Sequence, residues 1–367
     1  MGGWTTVDEQ HMRHALGLAA LGLHTTAPNP RVGCVLVRDG RVVGEGWHER
    51  AGGPHAEVRA LQSAGDAARG ATAYVSLEPC AAHGRTPPCT EALAAAGVRC
   101  VTYAAEDPDP RMRGGAAALR AAGIEVAGGL LAAEARELNI GFFSRHERGR
   151  PWVRVKLAAS LDGRTALADG RSQWITGEAA RADVQLQRAR SSVVLSGAGT
   201  VLRDDPALNV RIDGATRQPL RAVVDSTLRV PPSARVYAPP GPAAVFTASA
   251  DAARIGALRQ AGVQVEQLAA AEGGVDLSAV LARLAALQAN EVWVEAGARL
   301  AGALLAAQLA DELIVYLAPC LLGPQGLPLA QLAAPAGLDE RLRLRYVAVD
   351  RVGADLRIMA RPAMARD

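Results

Sequence analysis

The first half of the chain contains a set of side chains whose types and spacing suit a metal site. Glu57 follows His55 by two positions, Cys80 comes directly after Pro79, and Cys89 is nine positions further on. One neutral imidazole and two thiolates are common zinc ligands, and they leave the fourth tetrahedral position for a water molecule. Zinc lowers the pKa of such a water toward about 7. The pattern therefore predicts a zinc site with His55, Cys80 and Cys89 as ligands.

Glu57 has the position that hydrolytic nucleobase deaminases require of their proton carrier. In that chemistry a glutamate that does not bind zinc takes a proton from the water and returns it to the leaving amine. The general deaminase signature has two residues between its cysteines, whereas this chain has eight, so the loop that closes on the metal is longer. A buried histidine and two core thiols are the alternative interpretation; the combination with Glu57 and Pro79 favours the zinc site.

Lys156 is the one lysine among 40 basic residues, the others being arginines. A compact ammonium fits a tight site beside a carboxylate, where a planar guanidinium does not. Lys156 lies near the end of an apolar strand pattern, and Glu295 ends another. We expect Lys156 and Glu295 to flank a reacting group and to protonate or orient it.

Two glycine-rich turns in the second half are suited to binding phosphates. Residues 193–200 read as a strand that runs into a turn with Gly197 and Gly199, and residues 292–302 read as a strand, a turn at Gly297 and the start of a helix. Free N–H groups at a helix start attract anions, and glycine lets the backbone approach a pyrophosphate closely. The usual dinucleotide fingerprint G-x-G-x-x-G is absent, so each turn alone is a weak signal.

Composition limits the classes of protein that the chain can belong to. Its 367 residues predict two domains, and 49% hydrophobic with 21% charged residues is typical of globular proteins with an ample core. A net charge of +3 gives no strong field for nucleic acid or an anionic membrane. Neither a secretory signal nor an apolar run long enough to span a bilayer is visible. Five cysteines, an odd number, favour a reducing compartment, and we expect a cytoplasmic protein.

Alternating helix and strand patterns predict how these residues are positioned. In the first half we expect a helix from about Glu9 to Leu23 capped by Asp8, a hairpin at Asp39-Gly40, helices that begin at His55 and Cys89, and one helix over Ala132–Phe143. The charged stretch 144–151, with a glycine and a proline, predicts the domain boundary. We expect a deaminase domain at residues 1–147 and a second α/β domain at 148–367.

Long motifs in both halves resemble one family. They are Asn29–Cys34, Gly46–His48, Leu77–Cys89, Lys156–Thr165, Ser172–Thr176, Gly199–Pro206 and Glu295–Gly297. Taken in this order they closely resemble the bifunctional riboflavin-biosynthesis deaminase–reductases, and the likeness spans nearly the whole chain. The resemblance implies an N-terminal cytidine-deaminase-like α/β/α sandwich and a C-terminal dihydrofolate-reductase-like α/β domain. It also implies Zn²⁺ and NADPH as cofactors.

The resemblance implies two reactions in series. A diamino-ribosylamino-pyrimidinone 5′-phosphate loses its 2-amino group as ammonia, and NADPH then reduces the ribosyl group of the product to ribityl. The partner is thus a small phosphorylated pyrimidine, with no nucleic acid or membrane. The family usually associates, so a homodimer is expected.

The resemblance also assigns binding residues. Asn29 and His48 would hold the deaminase substrate, and Arg85 would bind its phosphate. The residues assigned to NADPH are Ala158, Trp174, Thr200, Asp204, Ser226, Gly297, Ala298, Arg299, Leu300, Ala301, Gly302 and Ala303. Those assigned to the reductase substrate are Ser172, Arg188, Leu208, Arg211 and Glu295; guanidinium groups pair well with phosphate oxygens. The chain departs from the family in having Ala81 and Ala82 where Ser and His usually follow the first cysteine, and His83 is the nearest substitute.

Two other functions stay open at the level of sequence. The first is a deaminase that acts on a free base, a nucleoside or tRNA, with an accessory C-terminal domain; a tRNA substrate would favour a basic face and exposed aromatics, and aromatics are only 4% of this chain. The second is a non-catalytic protein that keeps zinc as a structural staple. Release of inosine from tRNA would support the first, and zinc binding without ammonia release would support the second.

Overall fold

The structure is a computed structural model that describes residues 3–82 and 87–363. The chain divides into two compact units, residues 1–149 and 150–367. Within the described ranges, every helix is too short or too polar to pass through a lipid bilayer.

The first unit is built on a five-stranded mixed sheet in the order β2-β1-β3-β4-β5. β1 is antiparallel to β2 and β3, while β3, β4 and β5 are parallel. The strands are β1 Gly33–Arg38, β2 Arg41–Trp47, β3 Thr72–Leu77, β4 Cys100–Ala105 and β5 Glu125–Gly128. The helices are α1 Thr6–Ala20, α2 Ala56–Ala64, α3 Cys89–Ala95, α4 Gly115–Ala121, α5 Ala132–Leu138 and α6 Ile140–Arg148, with a 3₁₀ turn at Gly65–Ala68.

The sheet of the first unit is covered on both faces, as an α/β/α sandwich requires. Alternate residues of β1 point to opposite sides: Cys34 and Leu36 join one apolar core, and Val35 and Val37 join the other. The predicted hairpin is confirmed, since Asp39 and Gly40 both have positive φ (51° and 72°) between antiparallel strands. Because of the strand directions, the start of β1 and the ends of β2, β3 and β4 lie at the same edge of the sheet.

Two helix predictions in this unit were wrong at their boundaries. α1 begins three residues earlier than expected because Thr5 is its N-cap, while Asp8 closes a capping box from inside the helix. The expected single helix over 132–143 is two helices divided at Asn139, and residues 144–148 continue the second instead of forming a linker. Asn139 is buried, and its side chain accepts from the Arg31 N–H and donates to the Arg31 carbonyl (2.8 and 2.9 Å). The helix therefore divides at the residue whose side chain bonds the Arg31 backbone.

The second unit is built on a nine-stranded sheet in the order β11-β10-β9-β8-β14-β6-β15-β18-β17. All of its pairs are parallel except those that β18 makes with β15 and β17. The strands of the nine-stranded sheet are β6 Trp152–Ser160, β8 Val193–Gly197, β9 Leu220–Val224, β10 Ala243–Thr247, β11 Gln264–Gln267, β14 Glu291–Glu295, β15 Glu312–Ala318, β17 Leu344–Val352 and β18 Asp355–Pro362. Two further two-stranded sheets pair β7 Arg164–Ala166 with β16 Leu327–Pro328 and β12 Ala270–Ala271 with β13 Gly274–Val275. The helices are α7 Glu178–Arg190, α8 Ala198–Asp204, α9 Ala252–Gln260, α10 Leu277–Ala286 and α11 Ala298–Ala306, with 3₁₀ turns at Arg235–Tyr237 and Leu338–Glu340.

Parallel pairing in this unit gathers the predicted chemistry at one sheet edge. The central strands are apolar on both faces, which is typical of a covered parallel sheet. Because β6, β8, β9 and β14 run in the same direction, their carboxyl ends meet at a single edge, where ligands bind in open α/β sheets. Gly197, Ser226 and Glu295 lie at or just beyond the ends of β8, β9 and β14. Lys156 lies in the middle of β6, level with the end of β14 because it pairs in register with Glu295.

Two candidate active sites

The predicted zinc ligands lie at the carboxyl edge of the first sheet. His55 is the N-cap of α2, Cys80 follows β3 by three residues, and Cys89 is the first residue of α3. Three separate local structures thus supply one ligand each. Gly46 on β2 is what lets α2 lie so close to the sheet, because a Cβ there would be 2.8 Å from the Ala56 carbonyl oxygen.

The distances between the three side chains fit a zinc ion. His55 Nδ1 is 3.2 Å from Cys89 Sγ and 3.6 Å from Cys80 Sγ, and the three ligand atoms all lie within 4.8 Å of one another. Tetrahedral zinc with ordinary Zn–N and Zn–S bonds places such atoms about 3.5 Å apart. The donor set of one imidazole and two thiols is also the set that zinc prefers. The residues present therefore fit the metal.

The pKa values of Cys80 and Cys89 depend on each other because the two thiols are hydrogen-bonded. Hydrogen bonding by Cys89 lowers the pKa of Cys80 to about 4, with His55 contributing, so Cys80 is a thiolate at neutral pH. That same bond to Cys80, together with burial, raises the pKa of Cys89. The backbone N–H of Cys89 also donates to Cys80 Sγ at 3.4 Å. Without a cation the pair thus keeps one proton, which a bound metal must displace.

Glu57 lies in the first turn of α2 and is 3% exposed. Burial raises the pKa of its carboxyl group, and the charge of His55 only partly opposes this. A raised pKa makes a carboxylate a better proton acceptor, which suits a group that takes up and returns a proton. The structure thus places a proton-carrying group beside the three ligands.

Asn29 and His48 are joined at the same edge of the sheet. His48 is buried, and burial lowers the pKa of its ring, which favours the neutral form. Its Nδ1 donates to the Pro54 carbonyl oxygen at 3.0 Å, so Nε2 is left to accept from the Asn29 amide nitrogen, also at 3.0 Å. This chain of hydrogen bonds fixes the Asn29 side chain with its carbonyl oxygen as the group available to a ligand.

Two predicted residues are not described, and one motif residue at this edge has a role that was not foreseen. Arg85 and His83 lie outside the residues that the structure describes. Glu78, part of the Leu77–Cys89 motif but given no role there, is buried and accepts from the N–H groups of Asp107 (3.3 Å) and Ala116 (2.9 Å). Burial raises the pKa of Asp107 to about 7. The Asp-Pro-Asp-Pro sequence at 107–110 was the signal that could have drawn attention to this loop.

In the second unit, Lys156 and Glu295 are directly paired in register on adjacent strands β6 and β14. Arg188 from α7 joins them: its Nε and Nη2 donate to the two Glu295 oxygens at 2.5 and 2.9 Å, and its Nη1 donates to the Asn209 carbonyl at 3.0 Å. Trp293 Nε1 donates to Glu295 Oε1 at 3.0 Å. Burial by itself would raise the pKa of Glu295, but Arg188 and Lys156 outweigh it and lower that pKa to about 2.

Lys156 differs from its neighbours because its ammonium group makes no hydrogen bond within the described part of the chain. Burial lowers its pKa, and Glu295 opposes this by favouring the charged form. Lys156 is thus a partly buried amine whose charged form is favoured by a single carboxylate. Such a group can donate a proton to a reacting atom.

Some of the residues assigned to NADPH lie at strand ends and in loops, and the others lie on α11. Thr200 and Gly297 are in contact, since the Gly297 N–H donates to Thr200 Oγ1 at 3.0 Å, and the turns after β8 and β14 therefore lie side by side. Ala158 and Ser226 lie near the carboxyl ends of β6 and β9, Asp204 ends α8, and Trp174 is 70% exposed on the loop before α7, stacked on Arg181.

The helix α11, which carries the other predicted NADPH contacts, points partly into the core. Ala301 belongs to the apolar core, and a Cβ at Gly302 would lie 2.0 Å from the Gln331 carbonyl oxygen. Both positions are thus committed to packing, Ala301 by its methyl group and Gly302 by its lack of a side chain, and the backbone at the start of α11 is the part that can meet a ligand. Arg299 and Ala303 are the members of the set that lie on the exposed side of this helix.

Some of the residues assigned to the reductase substrate are connected to Arg188 through Asn209. Leu208 is buried, with a positive φ of 51°, and the next residue, Asn209, accepts from both Arg188 and Arg211. Arg211 itself is exposed, and Ser172 is partly buried on the loop that carries Trp174. Arg188 thus contacts the Glu295 carboxylate directly and is linked through Asn209 to Arg211 and to the segment that contains Leu208.

Comparison with known proteins accounts for both units. The family model for the cytidine and deoxycytidylate deaminase zinc-binding region matches residues 5–105, and the model for the RibD C-terminal domain matches residues 151–358. The riboflavin biosynthesis protein RibD of Escherichia coli (strain K12) is 48% identical over 364 residues, which are 95% of this chain and 98% of that protein. Its counterpart from Haemophilus influenzae is 44% identical over 372 residues, 98% of each chain.

Solved structures of proteins from the same family are similar to this chain over nearly its whole length. That of Acinetobacter baumannii RibD (form 1) has a TM-score of 0.91 at 42% identity and covers 98% of this chain and 99% of its own. A Thermotoga maritima protein described as a diaminohydroxyphosphoribosylaminopyrimidine deaminase/5-amino-6-(5-phosphoribosylamino)uracil reductase has a TM-score of 0.87 at 33% identity, covering 97% and 99%. The family, fold class and cofactors expected from the sequence are confirmed. This chain belongs to the RibD family and is a bifunctional deaminase–reductase of riboflavin biosynthesis that uses Zn²⁺ and NADPH.

Proposed function

We propose that deamination takes place at the edge of the first sheet, with His55, Cys80 and Cys89 holding zinc and Glu57 carrying the proton. The observation behind this assignment is the convergence of the three ligand atoms within 4.8 Å beside a buried carboxyl group. Zinc bound there supplies a Lewis acid that makes water nucleophilic at neutral pH. Glu57 takes up the proton from that water and delivers it to the departing amine. Its raised pKa suits both steps.

The remaining deaminase residues bind the substrate. Asn29 presents its amide oxygen to an N–H group of the pyrimidine, and His48 holds that amide in place through Nε2. Arg85 binds the 5′-phosphate. The deaminase domain in this proposal comprises residues 1–147 and the reductase domain residues 148–367.

For the reduction we propose that Lys156 and Glu295 act on the ribosyl group at the carboxyl edge of the second sheet. NADPH supplies the hydride there. Lys156 delivers a proton to the ring oxygen as the sugar opens, and Glu295 keeps Lys156 protonated while Arg188 fixes the Glu295 carboxylate. The cofactor contacts are those assigned above, from Ala158 to the start of α11, and Ser172, Leu208 and Arg211 complete the substrate site with Arg188.

Glu57→Gln tests whether the two sites are separate. The purified protein receives the diamino substrate and NADPH, and ammonia and absorbance at 340 nm are followed together. We expect E57Q to retain zinc and lose ammonia release, yet to oxidise NADPH at the wild-type rate when the deaminated substrate is supplied directly. Equal loss of both activities in a variant with unchanged unfolding temperature would contradict the assignment.

We infer further that the protein forms a homodimer. β17 is an outer strand of the nine-stranded sheet, and Leu344, Tyr346 and Val349 on it are exposed. A long apolar edge strand is a common association surface. Light scattering behind a sizing column should give twice the 38.1 kDa chain mass, and Tyr346→Arg should shift the protein toward the monomer. A wild-type monomer at working concentration would contradict this proposal.

We also infer that the enzyme works in the cytoplasm. Cys34, Cys80, Cys89, Cys100 and Cys320 are all free thiols in the described structure. Two of them must remain reduced to bind zinc, which a reducing compartment ensures. Fractionation of cells that express a tagged chain, with activity measured in each fraction, tests this inference.

A further inference from the structure

The loop between β4 and α4 has two arginines that none of the assignments above uses. Residues 109–114, here called the arginine loop, contain Arg111 and Arg113. The loop is a tight turn, because the N–H groups of Met112 and Arg113 both donate to the Asp109 carbonyl, at 2.9 and 3.0 Å. It follows Asp107 at the sheet edge where the zinc ligands lie.

The arginine loop is fastened to the backbone around Cys80. The Ala81 N–H donates to the Met112 carbonyl at 3.1 Å. On the other side of Cys80, a Cβ at Gly115 would lie 1.7 Å from the Pro79 carbonyl oxygen, so the two backbones are in direct contact. Glu78 holds both ends of the segment through the N–H groups of Asp107 and Ala116. The position of the loop relative to the zinc ligand is therefore fixed by backbone contacts rather than by flexible side chains.

The two arginines differ in how their charge is balanced. Arg111 makes a two-point ion pair with Asp109, at 3.0 and 2.7 Å. Arg113 is exposed and has no side-chain hydrogen bond or ion pair within the residues described. Arg113 adjoins Met112, whose carbonyl is bonded to Ala81. The backbone of an arginine with an uncompensated charge is thus one residue away from a direct contact with Ala81, which follows Cys80.

We propose that Arg113, with Arg111 beside it, binds the 5′-phosphate of the deaminase substrate. This inference rests on the deaminase assignment above and deepens it. A phosphate dianion pairs well with guanidinium groups, and the backbone contacts of the arginine loop limit the positions that the Arg113 side chain can take. Ala81 and Ala82 offer no polar side chain, so the neighbouring loop is the source of cation in the described part of the site. It acts together with Arg85.

Ammonia release from two substrates tests the proposal. One is the diamino-pyrimidinone ribosylamine 5′-phosphate, and the other is the same compound after phosphatase treatment. We expect Arg113→Ala to raise KM for the phosphorylated compound about five- to tenfold, with kcat within about twofold of the wild type, and to leave the dephosphorylated compound unaffected. Arg113→Lys should recover most of the affinity. Inorganic phosphate should inhibit R113A more weakly than the wild type.

Arg41→Ala is the matched control, because Arg41 is an exposed arginine on the β1–β2 hairpin and its removal changes the net charge equally. Zinc content and unfolding temperature show that each variant is folded. Equal KM values for R113A and R41A would overturn the proposal, as would an equal rise of KM for both substrates. The deaminase assignment is tested separately by E57Q, which should abolish turnover of both compounds. A failure of the Arg113 prediction therefore does not contradict that assignment.

Discussion

The carboxylate of Glu295 is bound at both oxygens by the guanidinium of Arg188, at 2.5 and 2.9 Å. Both side chains are largely buried, at 14% and 9% exposure. The pair therefore forms a fixed anion in the second sheet, and Lys156 lies next to it in register. The sequence suggested Lys156 and Glu295 as partners and Arg188 as a phosphate ligand; in the structure all three form one cluster.

Glu295→Gln should change the pH dependence of the reductase. Burial lowers the pKa of Lys156 and the Glu295 charge raises it, so the amide variant should lower that pKa further. If protonated Lys156 is required, kcat/KM falls as the pH rises through its pKa, and in E295Q this fall should begin at lower pH. At a pH above both pKa values we expect activity about tenfold below the wild type. The measurement is NADPH oxidation with deaminated substrate from pH 6 to 10.

Lys156→Arg is the companion variant. It keeps a positive charge but does not release a proton in this pH range, so the reductase should lose most of its turnover while ammonia release is unchanged. A variant with normal turnover would show that the lysine has no special role. An unshifted pH profile in E295Q would likewise reject the coupling between the two residues.

Zinc removal should stop deamination and leave reduction intact. Adding zinc back should release protons that can be counted. Chelation should reduce ammonia release to background and lower the unfolding temperature of the first unit, because zinc binds only the folded site. Since Cys89 keeps its proton without the metal, adding zinc back should release protons, detected with a pH indicator. Cys89→Ser should abolish both the ammonia release and the zinc-dependent release of protons. Deamination by protein shown to be free of metal would contradict the zinc assignment.

Gly115→Ala should damage the zinc site from a distance. The new Cβ would meet the Pro79 carbonyl oxygen at 1.7 Å, and Pro79 precedes a zinc ligand. Backbone must shift to relieve this overlap, so we expect lower zinc occupancy and slower deamination with normal reduction of deaminated substrate. Gly17→Ala is the control: Gly17 lies inside α1 with no atom within 4 Å of the new Cβ, and the change should preserve or slightly raise stability. Full zinc occupancy in G115A would contradict the prediction.

His48→Ala should weaken deaminase substrate binding. Loss of the Nε2 acceptor frees the Asn29 amide to rotate, so we expect KM to rise about tenfold, comparable to losing one hydrogen bond to a polar ligand. His48→Gln, which can place an acceptor near the position of Nε2, should restore part of the affinity. Steady-state ammonia release is the measurement, and equal KM values for the two variants would argue against an orienting role.

The sequence determined the chemistry and much of the fold. The proposed zinc ligands could be predicted because a metal needs particular donor types, and these stand out in a chain with seven histidines and five cysteines. The hairpin at Asp39-Gly40 was predictable because its two residues adopt positive φ at little steric cost. Strands in the parallel sheet were predictable because they are continuous apolar runs.

Only the tertiary structure decided which distant residues act together. The break at Asn139 depends on the Arg31 backbone, 108 positions away in sequence, which no local pattern reveals. The pairing of Arg188 with Glu295 and the fastening of the arginine loop to Ala81 are of the same kind. Local propensity acts over a few residues, whereas strand order and direction determine which loops meet at a sheet edge. The sequence therefore allowed the candidate reacting groups to be predicted, whereas the arrangement of the sheets determined which residues contact them.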